Sequence, residues 1–107
     1  MYLFTHPSTA FDGMLGAAHA TEIPYVFDTL DHRSTAFLLG EVTEERRKLA
    51  DRMAGAWVEF ARTGDPSTPA LGEWPRYDAD RRATMRLDTD AEVVEDPRRD
   101  ERRIWTA

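Results

Sequence analysis

His19 is the first residue in this sequence whose type and surroundings suggest chemistry. It lies in the segment GAAHATEIPYVF, residues 16–27, where a glycine and three alanines surround the imidazole. An imidazole exchanges protons near neutral pH, and Glu22 follows at a spacing that places its carboxylate within reach on a helical turn. The segment is compatible with general acid–base chemistry, and it is equally compatible with a structural histidine.

A histidine and a carboxylate need a nucleophile to activate, and the sequence contains no self-sufficient one. There is no cysteine in the chain. None of the serines lies in a G-x-S-x-G turn, the sharp strand-to-helix turn that exposes a serine hydroxyl. These serines are Ser8, Ser34 and Ser67. The sequence therefore does not encode a complete catalytic triad by itself.

The spacing of the other possible ligands does not indicate a metal site. His6, His19 and His32 are separated by thirteen residues each, which matches no local ligand turn. The segment DTDAE at 88–92 resembles the start of a calcium loop, but Val93 occupies the sixth position, where that loop needs glycine. We expect neither a metal nor a cofactor.

Composition limits the partners that the chain can bind. Its 107 residues have a net charge of −6, which argues against nucleic acid or an anionic membrane surface as a partner. No apolar stretch approaches the roughly 18 residues that are needed to span a bilayer. The N-terminus has no basic region followed by a long apolar core, so it does not resemble a signal peptide, and this favours a cytoplasmic location.

The clearest predicted element is a helix from about residue 43 to residue 63. Thr43 is a suitable N-cap, two glutamates follow in the first turn, and Gly64 can adopt the left-handed conformation that ends a helix. Apolar side chains repeat at helical spacing along one face: Leu49, Met53, Trp57 and Phe60. This face is broad and aromatic, and the rest of the chain provides little to cover it.

Two strands and a linker are predicted around this helix. YLFT at residues 2–5 predicts a strand that ends before a proline. ATMRLD at 83–88 predicts a short edge strand, and its expected partner is near EVV at 92–94. Residues 31–42 are interpreted as a linker that is anchored by apolar side chains, Phe37 among them.

A second helix is predicted at the C-terminus. Asp96 is its expected N-cap, with a proline at the first helical position. An ion pair between Glu95 and Arg99 should support it. Ile104 and Trp105 are the side chains expected to anchor this helix to the core.

Three segments, taken in order, resemble the C-terminal part of the type B carboxylesterases, serine esterases of the α/β-hydrolase fold that include the cholinesterases. GAAHATEIPYVF is similar to the segment of the catalytic histidine, G-A-x-H-x-x-E-[LI]-P-[FY]-V-F. AWVEFARTGDP at 56–66 is similar to the last long helix of the family, and EWPRYDADRRATMRLD at 73–88 is similar to its closing segment. Together these segments span nearly the whole chain.

The resemblance implies an incomplete α/β-hydrolase, mainly helical with one or two short strands. It divides the chain into a histidine loop at 12–30, the long helix at about 43–63, and a closing strand and helix at 73–105. It also implies that His19 is the catalytic general base. Glu22 is then a structural partner, or a surface or capping carboxylate, since the family takes the acid of its triad from well upstream.

The same resemblance implies what this sequence does not contain. The family's serine attacks an ester carbonyl, and the histidine takes the hydroxyl proton and returns it to the leaving alcohol. The serine, the acid and the glycines of the oxyanion hole all precede the segments matched here.

Three functions remain open at this point. The chain is the C-terminal segment of a carboxylesterase for small-molecule esters, and is inactive alone. Alternatively, it is a subunit that completes an esterase by binding a separate N-terminal half, or that associates with itself. The third possibility is a stand-alone binding domain without catalysis. For an incomplete fold, we expect the YLFT strand to be unpaired or to pair within an oligomer.

Overall fold

The computed structural model describes residues 1–106 and has the α/β architecture predicted from the sequence. Its sheet contains three strands, one more than expected. None of the helices within these residues combines the length and the apolar character that crossing a bilayer requires. The elements in chain order are β1 (Tyr2–Phe4), a 3-10 turn (Ala10–Gly13), α1 (Ile23–Val26), α2 (Arg33–Leu39), α3 (Glu44–Thr63), β2 (Ala83–Leu87), β3 (Glu92–Glu95) and α4 (Arg99–Thr106).

Strand β1 is paired within this chain, so the expectation that it would be unpaired or paired in an oligomer is wrong. It lies parallel to β2, with Tyr2 opposite Met85 and Phe4 opposite Leu87. β3 pairs antiparallel with β2, which confirms the predicted pairing with EVV. β2 is the central strand and not the predicted edge strand, because it is flanked on both sides.

Helix α3 confirms the predicted long helix together with both of its caps. The Thr43 hydroxyl accepts a hydrogen bond of 3.3 Å from the backbone three residues later, and Gly64 adopts a left-handed φ of 81°. Leu49 and Met53 are buried at the N-terminal half of the apolar face. At the other end of that face Phe60 is 55% exposed, so the described residues cover only part of it.

The core lies where α1 and α3 pack against the sheet. A row of aromatic rings extends it along α3: Trp57 lies edge-on to Tyr2 at 5.1 Å and to Trp74 at 5.9 Å between ring centroids. The Trp74 indole donates a hydrogen bond of 3.0 Å to the backbone carbonyl of Met1, which ties the segment after α3 to the start of β1. The buried members of the core are Tyr25, Leu30, Leu39, Leu49, Ala50, Met53, Ala56, Trp74, Met85 and Leu87.

Helix α2 occupies the segment that was predicted to be a linker. The His32 side chain caps it by accepting a hydrogen bond from the Ser34 backbone. Leu39 is the buried anchor, whereas Phe37 is 73% exposed and packs edge-on against Phe11 at 5.2 Å. The two turns of α2 are too short to display a helical apolar period, which explains why the pattern did not indicate a helix.

Gly40 ends α2 at a position where a side chain cannot fit. Its φ is 83°, and an added Cβ would lie 2.5 Å from the Thr9 hydroxyl and 3.0 Å from the backbone nitrogen of Ala10. We expect Gly40→Ala to lower the free energy of unfolding by about 2–4 kcal/mol, since backbone strain and overpacking add. The matched variant is Gly55→Ala in α3, where a Cβ meets nothing within 4 Å.

Gly55→Ala should raise the free energy of unfolding by up to about 1 kcal/mol, because alanine has the higher helix propensity. Urea unfolding of both variants measures the difference. Similar midpoints for the two variants would contradict the steric explanation at Gly40.

The C-terminal helix begins later than predicted. It begins at Arg99, and Asp96 has a φ of 47° and is not its N-cap. The Asp96 carboxylate instead binds Arg102 at 2.7 Å and Arg99 at 3.0 Å, and the hydrogen bonds from these guanidinium groups lower its pKa to about 2. Glu95 pairs with Arg81 at 2.8 Å and not with Arg99. The two expected anchors are 75% and 87% exposed: Ile104 and Trp105.

Candidate active site

His19 lies on the loop that follows β1, at the carboxyl end of this parallel strand. The residue is exposed, so its imidazole is accessible to solvent and is not buried in the hydrophobic core. Ala20 has a φ of 68°, an uncommon conformation for a residue with a side chain and one that is often found at functional sites. Gly16 has a φ of 55°, and an added Cβ would have no atom within 4 Å. The positive φ, and not a lack of space, therefore explains why glycine is favoured at this position.

Hydrogen bonds fix the loop on both sides of His19. Before it, the Gly16 carbonyl accepts a bond of 2.9 Å from the Ser8 backbone N–H. After it, the Ala18 carbonyl accepts from the Thr21 backbone N–H at 3.2 Å and from the Thr21 hydroxyl at 2.7 Å. Thr21 is completely buried. His19 is therefore an exposed residue on a turn whose backbone is fixed by hydrogen bonds to buried residues.

Glu22 stands directly before α1 and makes no capping hydrogen bond. Its charge raises the pKa of Tyr2, although burial of Tyr2 is the larger cause of that increase. The Glu22 carboxylate makes no hydrogen bond to Tyr2 among residues 1–106. No hydrogen bond or ion pair joins it to His19 within residues 1–106, so a role for Glu22 as a structural partner stays a prediction.

A histidine–carboxylate pair that the sequence did not indicate lies at the base of the loop. His6 Nδ1 is 3.0 Å from Asp88 Oδ1, and the Thr5 hydroxyl donates to Asp88 Oδ2 at 2.7 Å. Burial raises the pKa of Asp88, but the hydrogen bonds from Thr5 and His6 outweigh it and leave this pKa lowered. His6 and Asp88 follow β1 and β2, and only the parallel pairing of these strands brings them together.

Arg46 holds the start of the loop from the first turn of α3. It is 2% exposed and donates to the carbonyls of Leu39 and Glu41, both at 2.6 Å. It also donates to the Pro7 carbonyl at 3.1 Å. The sequence contains one signal that could have identified it: Arg46 lies in the apolar stripe of α3, three residues before Leu49.

The other candidate residues stay apart from His19. Ser8 is buried and donates to the Leu38 carbonyl, and Ser67 accepts a hydrogen bond from the Trp74 backbone. No serine hydroxyl is bonded to His19 in the described part of the chain. Over the same residues, no three histidine, cysteine, aspartate or glutamate side chains cluster closely enough to hold a metal ion.

In the α/β-hydrolase class, the histidine of the catalytic triad follows the serine and the acid in chain order. The comparisons give the family. The family model described as "Carboxylesterase family" matches residues 1–105, and the chain belongs to this family. The predicted fold class is thereby confirmed.

Curated relatives and solved structures agree with this assignment. The chain is 38% identical over 86 residues to the para-nitrobenzyl esterase of Bacillus subtilis, an alignment that covers 80% of this chain and 17% of the relative. It is 36% identical over 97 residues to the phenmedipham hydrolase of Pseudarthrobacter oxydans, covering 89% of this chain and 20% of the relative.

Among the solved structures, a thermophilic PNB esterase superposes with a TM-score of 0.85 at 33% identity, over 96% of this chain and 21% of the esterase. A carboxylesterase from Geobacillus stearothermophilus superposes with a TM-score of 0.81 at 35% identity, over 98% of this chain and 21% of that protein. The chain therefore spans about a fifth of the length of the relatives that it matches.

Proposed function

We propose that this chain is the C-terminal, histidine-bearing part of a serine carboxylesterase that hydrolyses small-molecule carboxylic esters, with His19 as the general base. The main support is the position of His19, which is exposed on a fixed loop at the carboxyl end of a parallel strand in a carboxylesterase-family chain. The proposal keeps the division into a histidine loop at 12–30, a long helix at about 43–63 and a closing segment at 73–105.

In the proposed reaction, a serine from the remainder of the enzyme attacks the ester carbonyl while His19 accepts its hydroxyl proton. His19 then donates this proton to the leaving alcohol, which leaves an acyl-serine that water hydrolyses in the same way. The remainder also supplies the carboxylate that orients the imidazole and the N–H groups that stabilise the oxyanion. Since this chain supplies one of these groups, we propose that it is inactive alone.

The shape of the chain supports the proposal that further protein covers it. Its radius of gyration is 14.7 Å, whereas a compact domain of this length has about 13 Å. Several large apolar side chains are more than half exposed, and some of them flank the His19 loop. They include Met14, Phe27, Phe37, Val58 and Phe60.

A second candidate is the subunit that completes a separately encoded esterase half. Met1 and Thr5 make backbone hydrogen bonds to β2, so by strand alternation the backbone groups of Tyr2 and Phe4 point away from it. That edge of β1 is unpaired among residues 1–106. A strand of an N-terminal half, or of a second copy, would extend the sheet there.

A chimera tests the catalytic proposal. In the para-nitrobenzyl esterase of Bacillus subtilis, the matched segment of 86 residues is replaced by this chain. We expect the folded chimera to hydrolyse a short-chain aryl ester such as p-nitrophenyl acetate, because His19 restores the missing base. The isolated chain should show no turnover above buffer, and the relative lacking the segment is the negative control.

Turnover by the isolated chain that is lost in His19→Ala would contradict the proposed inactivity. A chimera that folds but does not turn over would contradict the role of His19. Mixing the chain with the truncated relative tests the subunit form, which predicts a stable complex and recovered activity. Cooperative unfolding of a monomer, with neither complex nor activity, would favour the stand-alone binding domain.

A further inference from the structure

His6 lies at the start of the His19 loop, just after the chain leaves strand β1. It stands two residues after the end of β1 and two residues before Ser8, whose backbone N–H binds the Gly16 carbonyl at 2.9 Å. A displacement of His6 would therefore be transmitted through one hydrogen bond to a residue three positions before His19. The His6 side chain is 11% exposed, so the surrounding atoms leave it little freedom to move.

His6 also contacts helix α1, which follows the His19 loop in the chain. Its ring lies edge-on to that of Tyr25 in α1, with 6.0 Å between centroids, and Tyr25 is 1% exposed. Phe4 completes the packing, with its ring centroid 5.2 Å from that of Tyr25 and 6.5 Å from that of His6. One imidazole thus touches the strand before the loop and the helix after it.

Asp88 provides a fixed acceptor for this imidazole. Its carboxylate also accepts hydrogen bonds from the Thr5 hydroxyl at 2.7 Å and from the Thr89 backbone at 2.8 Å, and it directly follows the central strand β2. An ionised carboxylate can only accept hydrogen bonds, so the proton of a neutral His6 lies on Nδ1, and the ring orientation is fixed. His6 is therefore bound to the most deeply buried strand of the sheet.

We propose that His6 is a positioning residue for His19, and that it sets the His19 loop relative to the sheet through Asp88 and Tyr25. The inference rests on the proposed function of His19, but the loop geometry can be measured without any activity. Without the His6 side chain, the sheet and α3 keep their own contacts. The loop loses the imidazole that contacts both Asp88, beside the start of the loop, and Tyr25, in the helix after it.

Amide hydrogen exchange on the isolated chain tests this geometry. In His6→Ala, we expect exchange at Ser8 and Thr21 to accelerate at least about tenfold relative to Met53 in α3, as in a local opening. His6→Asn should restore the protection to within about threefold, because the amide N–H can replace Nδ1–H as donor to Asp88. His32→Ala, a change at an exposed histidine in α2's cap, is the matched control and should leave loop exchange unchanged.

A double-mutant cycle separates this role from general destabilisation. Because both changes remove the His6–Asp88 contact, adding His6→Ala to Asp88→Ala should accelerate exchange clearly less than His6→Ala does in the parent chain. Equal acceleration at Thr21 and Met53, or no acceleration in His6→Ala, would overturn the proposal. If His6→Ala does not fold, Asp88→Ala alone supplies the same comparison.

In the active chimera, His6→Ala should lower kcat at least about tenfold with KM unchanged, and His6→Asn should restore it. A loss of kcat that His6→Asn does not rescue would contradict a positioning role. If the parent chimera is inactive while loop exchange responds as expected, the proposed function fails and the structural assignment of His6 stands.

Discussion

Replacing His19 by alanine in the chimeric esterase should lower kcat for an aryl ester by on the order of 10⁴-fold or more, with little change in KM. The serine loses the base that accepts its proton, and the leaving alcohol loses the acid that protonates it. Both losses act on the transition state and not on substrate binding, which is why kcat and not KM carries the effect. Steady-state kinetics with p-nitrophenyl acetate measures both constants.

His32→Ala is the matched control for this experiment. His32 is also exposed, and it interacts locally with Ser34 at the start of α2, with 2.7 Å between Nδ1 and the hydroxyl oxygen. It should therefore retain the activity of the parent chimera. Equal activity of the His19 and His32 variants would exclude His19 as the general base, whatever the family assignment.

The parts of the fold that the sequence predicted are those determined locally. In α3, the cap at Thr43, the apolar repeat and the left-handed Gly64 are all contained within one helix length. The pairing of β2 with β3 is similarly local. For such elements, neighbouring residues supply most of the determining interactions.

One wrong prediction depended on contacts between distant residues, and another on a local competition between side chains. The parallel pairing of β1 with β2 joins residues more than 80 positions apart, such as Tyr2 and Met85. At α4, Asp96 has a plausible capping sequence, but several guanidinium groups compete for its carboxylate and displace the start of the helix to Arg99. Local propensity cannot predict the outcome of such a competition.

The candidate site divides in the same way. His19 was identified from the sequence, although its chemistry followed only from the family resemblance. The surrounding contacts of His6 and Arg46 were not identified, because their acceptors come from other elements of the chain. The position of a candidate catalytic residue can thus be found in a motif, whereas the groups that contact its loop require the three-dimensional structure.

Arg46→Ala should lower the free energy of unfolding by about 3–5 kcal/mol, because each hydrogen bond from a charged group contributes about 1.5–3 kcal/mol and the buried Leu39 carbonyl loses this donor. The guanidinium binds three carbonyls from two segments, that of Pro7 and those of Leu39 and Glu41 on either side of Gly40. Its removal also leaves a cavity at the first turn of α3. Urea unfolding followed by circular dichroism measures the change.

Two further variants make this prediction decisive. Arg47→Ala changes the next residue of the same helix, which forms an exposed ion pair with Asp31 at 2.8 Å. Because water screens this pair, the urea midpoint should stay close to that of the parent. Arg46→Lys keeps the charge but cannot reach all three carbonyls with one ammonium group, and its midpoint should lie between those of Arg46→Ala and the parent. If Arg46→Lys matches the parent, then charge alone accounts for the stability. If Arg46→Ala and Arg47→Ala unfold at the same urea concentration, the three carbonyls are satisfied without Arg46 and the start of the His19 loop is held by other contacts.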